Sequence, residues 1–268
     1  MSNDLNDCFI RFCNLRGRIL KGESIEDIEF MYPTTLVPLL PHIESGAKIS
    51  NAVKGYVSSI TKSAKSNPRF ILEKIESGQT SPFKMDLMID SLSTEHDKST
   101  LQYFFTELIT NIYEHSDCKR AYAMAQTYRK TNKFTEFCLY DDGITIPASL
   151  KNFNDDFRFI EDCQLINLAL NGVSTKTKDG SRGFGMNTSA QVIVDGYKGE
   201  LFISSADGSI HIKSGDKDPI LYIHGDSSYY RTKGTLIGMR IPYKDVKITY
   251  HPFLESKRSF TGTEASKI

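Results

Sequence analysis

The sequence predicts an α+β protein, an α/β two-layer sandwich with helices on one face of a mixed, mainly antiparallel sheet and a smaller N-terminal α/β region beside it. Three patterns carry that expectation. Leu101, Phe104, Phe105, Leu108, Ile109 and Ile112 recur at the spacing of one apolar helical face. Strand-like runs at 121–128 and 134–140 flank the polar stretch Arg129-Lys-Thr-Asn-Lys133, as in a hairpin. Short alternating runs at 200–205, 209–213, 220–224 and 234–243, separated by Asp207-Gly208, Ser214-Gly215 and Lys233-Gly234, read as an antiparallel meander.

Before the first helix, residues 1–94 read as alternating strand and helix. An apolar run at 25–32 precedes a Pro33-Thr-Thr helix entry into 36–43, and a strand at 47–50 precedes a helical pattern at 53–63. The polar stretch 91–100 reads as a joint to a larger domain over 95–243. Within that domain, Asp141-Asp-Gly-Ile-Thr-Ile-Pro147 breaks the second hairpin strand, 159–170 reads as a helix, and a further helix is expected from Gly183 to about Val194. Residues 244–268 lose periodicity and read as a surface tail.

The chain has 268 residues, 39% of them apolar and 25% charged, with 33 Lys and Arg against 33 Asp and Glu. Those proportions are globular and exclude disorder throughout. A net charge of zero offers no bulk attraction to nucleic acid or to an anionic membrane, so neither is indicated as a partner. The acidic, polar start and the lack of any apolar run near the roughly 20 residues of a membrane span point to a soluble, cytoplasmic protein. Five cysteines without a Cys-x-x-Cys pair fit reduced thiols better than a disulfide framework or a structural zinc site.

Four short patterns carry chemistry. On the 101–116 helix, Glu107, Asn111 and His115 stand at i, i+4 and i+8, so each turns only about 40° from the last along one ridge. Asp141-Asp-Gly143 ends a strand where a carboxylate can accept a hydrogen bond from a ligand amine. Arg182-Gly183-Phe184-Gly185 opens a helix with backbone N–H groups able to approach phosphate oxygens. Lys233-Gly-Thr235 precedes the last strand. Each alone is ordinary: a polar ridge, a turn, a Gly-x-Gly, another turn. Their order along one α/β frame is more specific.

Taken together, Glu107-Leu-Ile-Thr-Asn111, Asp141-Asp-Gly143, Gly183-Phe-Gly185 and Gly234-Thr235 resemble the N box and the glycine boxes of the GHKL ATP-binding superfamily of gyrase, heat-shock-chaperone, histidine-kinase and MutL-type ATPases and anti-sigma kinases. The resemblance spans about 98–243 and implies a Bergerat-type ATP-binding fold with ATP and Mg²⁺ as cofactors. It implies that Asn111 holds Mg²⁺, that Asp141 accepts the adenine amino proton, and that Gly143, with Ile146 after it, lets the base approach. It further implies that Gly183, Phe184, Gly185 and Met186 line the phosphates and that Thr235 contacts the adenine side. Glu107 falls at the place of a general base, acting on water in hydrolysing members or on a partner's hydroxyl in the kinases. His115, Lys176 and Arg182 would address phosphate, with Lys178 beside them. The sequence departs from the pattern at Thr145, where the second glycine of the Asp-x-Gly-x-Gly box is usual.

The expected activity is that of an ATPase or ATP-gated switch whose lid, 148–182, responds to nucleotide and alters a surface for a protein partner or a homodimer. An anti-sigma-type serine/threonine kinase is the alternative, the N-terminal alternation resembling the STAS domains that partner such kinases; a non-hydrolysing nucleotide-binding module is a third. A sensor kinase is disfavoured, because none of the six histidines has a phosphoacceptor setting.

Overall fold

The computed structural model describes residues 4–26, 30–63, 70–76, 89–90, 96–111, 117–129, 133–175, 185–216, 218–225, 227–243, 248–254, 256 and 259–260. Helix α1 (Leu5–Leu20) is capped by Asp4, whose side chain accepts from the Asp7 N–H. A short α2 (Pro33–Leu36), a 3-10 turn at Val37–Leu39, α3 (Leu40–Glu44), α4 (Asn51–Ser63) and β1 (Phe70–Glu76) follow. Next come α5 (Lys98–Asn111), β2 (Arg120–Tyr128), β3 (Phe134–Asp141), α6 (Ile146–Phe153), a 3-10 turn at Asp155–Phe159 and α7 (Asp162–Leu170). Helix α8 (Gly185–Gln191) runs into a π-helical turn at Val192–Gly196, and β4 (Glu200–Ala206), β5 (Gly208–Lys213), β6 (Ile220–His224) and β7 (Thr232–Pro242) complete the sheet.

The strands form one seven-stranded sheet in the order β1-β2-β3-β7-β4-β5-β6, with every neighbouring pair antiparallel. The period of two along each strand decides what each face buries. Ala121, Ala123, Phe137, Leu139, Leu201, Ile203, Ile237 and Met239 face α5, α7, α8 and the π turn, where Leu101, Phe104, Phe105, Leu108, Ile166, Leu170 and Ile193 meet them. Phe105 packs edge-on to Phe137 with centroids 4.7 Å apart. The alternate residues Tyr122, Met124, Cys138, Tyr140, Phe202 and Leu236 face Leu5, Phe9, Phe12, Leu36 and Leu39 from α1 and the segment after it. Each of these large apolar side chains stabilises the fold by about 1.5–3 kcal/mol on burial.

The α+β class, the hairpin of β2 and β3, the β4–β5–β6 part of the meander and the α5 stripe through Leu108 are as expected, Ile112 lying outside the described residues. Strand β7 departs from the meander, pairing between β3 and β4 instead of beside β6. The N-terminal region also departs from expectation. Residues 5–63 cover the second face of the sheet instead of forming a smaller α/β unit beside it, and β1 joins the same sheet across the expected boundary at 94. Among the described residues of the strands expected at 25–32 and 47–50 there is one parallel bridge, between Ile25 and Ile49, and residues 27–29 lie outside them, so a STAS-like strand–helix repeat is not formed by the described residues. Helix α1 had no counterpart in the sequence-based expectation, because its stripe alternates Leu5, Phe9 and Phe12 with Cys8 and Cys13, thiols that behave as apolar only when buried, as both are.

A buried charge pair joins this second layer to the sheet. Glu136 and Arg240 stand opposite each other on β3 and β7. Glu136, fully buried, accepts from Arg240 Nε at 2.8 Å and from the Thr34 N–H at 2.9 Å. The Arg240 guanidinium lies 4.8 Å from the Tyr32 ring centroid and 4.7 Å from that of Phe134, and its Nη1 reaches Glu200 at 3.3 Å. Burial holds the Glu136 carboxyl above its ordinary range, opposed by Arg240.

The expected surface tail also requires correction. Ile248 and Phe253 pack against the first core, and Phe260 is buried within it. The Asn171 side chain holds the Phe260 backbone at both ends, its Oδ1 accepting from the Phe260 N–H at 2.8 Å and its Nδ2 donating to the carbonyl at 3.2 Å. Tyr250 stacks on Tyr103 of α5 with centroids 4.3 Å apart. None of the five cysteines is in a disulfide. No helix among the described residues is long and apolar enough to cross a membrane.

Candidate functional site

Two groups of the sequence-selected residues come together on the face of the sheet that carries α5, α7 and α8. The first lies at the ends of β3, β4 and β7. Asp141 closes β3 opposite Thr235 and is only 4% exposed. Its Oδ1 accepts from the Gly143 N–H at 2.9 Å, and the Thr235 N–H also donates to the carboxyl. Burial pushes this carboxyl up to about 7; the Gly143 and Thr235 N–H groups pull the other way, and the charge of Asp142 adds to the rise.

Gly234 makes that closure possible. It has φ +75°, and a Cβ there would lie 2.0 Å from the Asp141 carbonyl oxygen. The register between β4 and β7 shifts at this point: Ser205 faces Thr235 while Ala206 faces Thr232, leaving Lys233 and Gly234 in a bulge. Ser205, which the sequence motifs did not single out, lies at the hub. Its Oγ accepts from the Ile146 N–H at 2.9 Å, donates to the Gly234 carbonyl at 3.0 Å and contacts Thr235 Oγ1 at 3.0 Å. The available signal was a pair of serines closing an apolar run, both fully buried.

Asp142 was grouped with Asp141 by sequence but does different work. Its Oδ1 accepts from the Lys119 and Arg120 N–H groups, each at 2.9 Å, and its Oδ2 pairs with Arg120 Nε at 3.3 Å. It thereby ties the start of β2 to the turn after β3. Thr145 explains its own departure from the glycine pattern. With extended backbone (φ −72°) it caps α6, its Oγ1 accepting from the Ala148 N–H at 3.2 Å, so the chain enters a helix where a glycine would leave a looser turn.

The second group joins α5 to α8. Glu107 is half-buried, and a Cβ on Gly185 would sit 1.8 Å from its Oε2, so glycine is what lets that carboxylate lie against the start of α8. One turn earlier the Tyr103 hydroxyl bonds Thr188, and burial raises the Tyr103 pKa. Asn111 is half-buried at the end of α5, and Met186 and Ile146 each pack against the first core. His115, Lys176, Lys178, Arg182, Gly183 and Phe184 lie outside the described residues.

The segment expected to move with ligand, 148–182, contains two helices built into the core. Leu150, Cys163, Leu165, Ile166 and Leu170 are all buried, and Lys151 pairs with Asp162 at 2.6 Å between α6 and α7. Residues 176–182 of that segment lie outside the described residues.

Chemically, the first group is a dry carboxyl acceptor walled by backbone donors, and the second is a carboxylate held beside a helix start by the absence of a side chain. Neither known family models nor curated protein sequences match this chain.

Proposed function

We propose that this chain is a Mg·ATP-binding protein of the GHKL type, with a Bergerat-like arrangement of helices on an antiparallel sheet, acting as an ATPase or ATP-gated switch. The observation that carries the reading is the buried Asp141 carboxyl, bracketed by Gly143 in the turn after β3 and by Thr235 of the distant β7. A carboxyl buried without a basic partner among the described residues is costly to the fold, which favours a functional acceptor over a structural one. It suits a neutral donor such as the exocyclic amine of adenine.

The residues present fit the rest of the ligand. Asn111, near the end of α5, would offer a hard amide oxygen to Mg²⁺, and the ion would supply charge neutralisation for the phosphates. Glu107, which lies against Gly185, would take a proton from the attacking water. Asp141 and Thr235 orient the base, and Gly143 keeps its approach open. We take the protein to act in the cytoplasm, where its cysteines stay reduced, on a protein partner or a second copy of itself.

Titration of Mg·ATP and Mg·GTP into the purified protein, with phosphate release measured on the same samples, tests the reading. Preference for ATP, lost in Asp141→Asn, together with release abolished in Glu107→Ala, is the expected result. Absence of ATP binding by the parent, or equal affinity in Asp141→Asn, overturns it.

A further inference from the structure

The hydrogen bonds around Ser205 assign a direction to the Thr235 hydroxyl. Ser205 Oγ has three neighbours: the Ile146 N–H at 2.9 Å, the Gly234 carbonyl at 3.0 Å and Thr235 Oγ1 at 3.0 Å. The first can only donate and the second can only accept. A serine hydroxyl carries one proton and two lone pairs. With that proton on the Gly234 carbonyl, in the bulge between β4 and β7, Ser205 accepts both from Ile146 and from Thr235. Thr235 has thus committed its only hydroxyl proton to Ser205, and its Oγ1 is left as an acceptor. Ser205 and Thr235 are both at least nine-tenths buried, so water does not readily rearrange these bonds.

We propose that Ser205 is a positioning residue that holds Thr235 as a hydrogen-bond acceptor beside Asp141, so that the site takes both protons of a single exocyclic amino group and rejects a carbonyl at the same place. This deepens, and rests on, the adenine reading above. The base class it selects is a 6-aminopurine. A 6-oxopurine places a carbonyl oxygen against two acceptors and leaves both without a proton, a mismatch of the kind that discriminates strongly because buried polar groups stay unpaired. A purine with hydrogen at position 6 removes the repulsion but still leaves both acceptors unmet.

Equilibrium binding of ATP, inosine triphosphate and purine riboside triphosphate at pH 8, to the parent and to Ser205→Ala and Ser205→Thr, tests the assignment. The parent is expected to bind both analogues at least about 100-fold more weakly than ATP. In Ser205→Ala the Thr235 hydroxyl is released to donate, and the preference for ATP over inosine triphosphate falls about tenfold. Ser205→Thr, which keeps the hydroxyl, retains the parent preference. A purely structural role would lower all three affinities together and leave their ratios unchanged, which overturns the assignment. So does a parent that binds ATP and purine riboside triphosphate alike, a result that needs no variant to fold. A parent that binds none of the three overturns the adenine reading itself.

Discussion

Asp141→Asn is expected to stabilise the protein above neutral pH while removing its preference for adenine. The carboxyl is 4% exposed, and burial raises it from 3.8 to about 7. A carboxyl whose folded pKa exceeds its unfolded one binds its proton more tightly in the native state. Its contribution is complete below pH 3.8 and is lost as pH rises through about 7. A rise from 3.8 to about 7 sets a ceiling of about 4 kcal/mol on that loss. Asparagine is neutral throughout but has one acceptor oxygen for the Gly143 and Thr235 N–H groups, a penalty of about 1 kcal/mol. The variant should therefore be about 1 kcal/mol less stable than the parent at pH 4 and about 2–3 kcal/mol more stable at pH 8.5. For a chain of this size that is about 5–10 °C in Tm at the higher pH. Urea and thermal unfolding of both proteins from pH 4 to 8.5 measures it. A difference that is flat across the range refutes the claim that Asp141 is a buried, proton-holding carboxyl.

Other expectations follow from the same geometry. Adenosine affinity should rise with pH up to about 7 and level off above it, because an amine donor favours the ionised Asp141, while Asp141→Asn shows no such slope in the same titration. Gly185→Ala should leave stability within about 1 kcal/mol, since the new methyl meets the flexible end of Glu107, yet reduce phosphate release far more than ATP affinity as Glu107 is displaced; equal loss of both would refute this. Gly234→Ala meets the Asp141 backbone at positive φ and should cost about 3 kcal/mol or more, read as a lowered urea midpoint. Phe260→Ala should cost about 3 kcal/mol despite its place near the end of the chain, whereas an unchanged midpoint would show that this segment does not dock.

Much of the fold was legible because it rests on local periodicity. The α5 stripe, the β2–β3 hairpin and the β4–β5–β6 meander each repeat at the period of one element, so burial of one face was implied wherever they packed, whereas the insertion of β7 between β3 and β4 has no such local signal. Order and spacing along the chain likewise marked Glu107, Asn111, Asp141, Gly143, Gly185 and Thr235 as candidates. Helix α1 was written in period too, but in cysteines as much as in leucine and phenylalanine.

What the sequence alone determined is therefore the set of elements and the chemistry available on each. Tertiary structure decided which faces meet. Whether 5–63 packs beside the sheet or over it depends on Glu136 and Arg240 finding Thr34 and Tyr32, groups about a hundred or more residues apart along the chain. Phe260 is core instead of tail because Asn171 satisfies its backbone on both sides. Ser205 becomes a hub only when a two-residue bulge in β7 brings Gly234 and Thr235 to its hydroxyl. Each depends on a buried polar group finding its partner across the chain, and hydrogen-bond partners at that separation leave no period in the sequence.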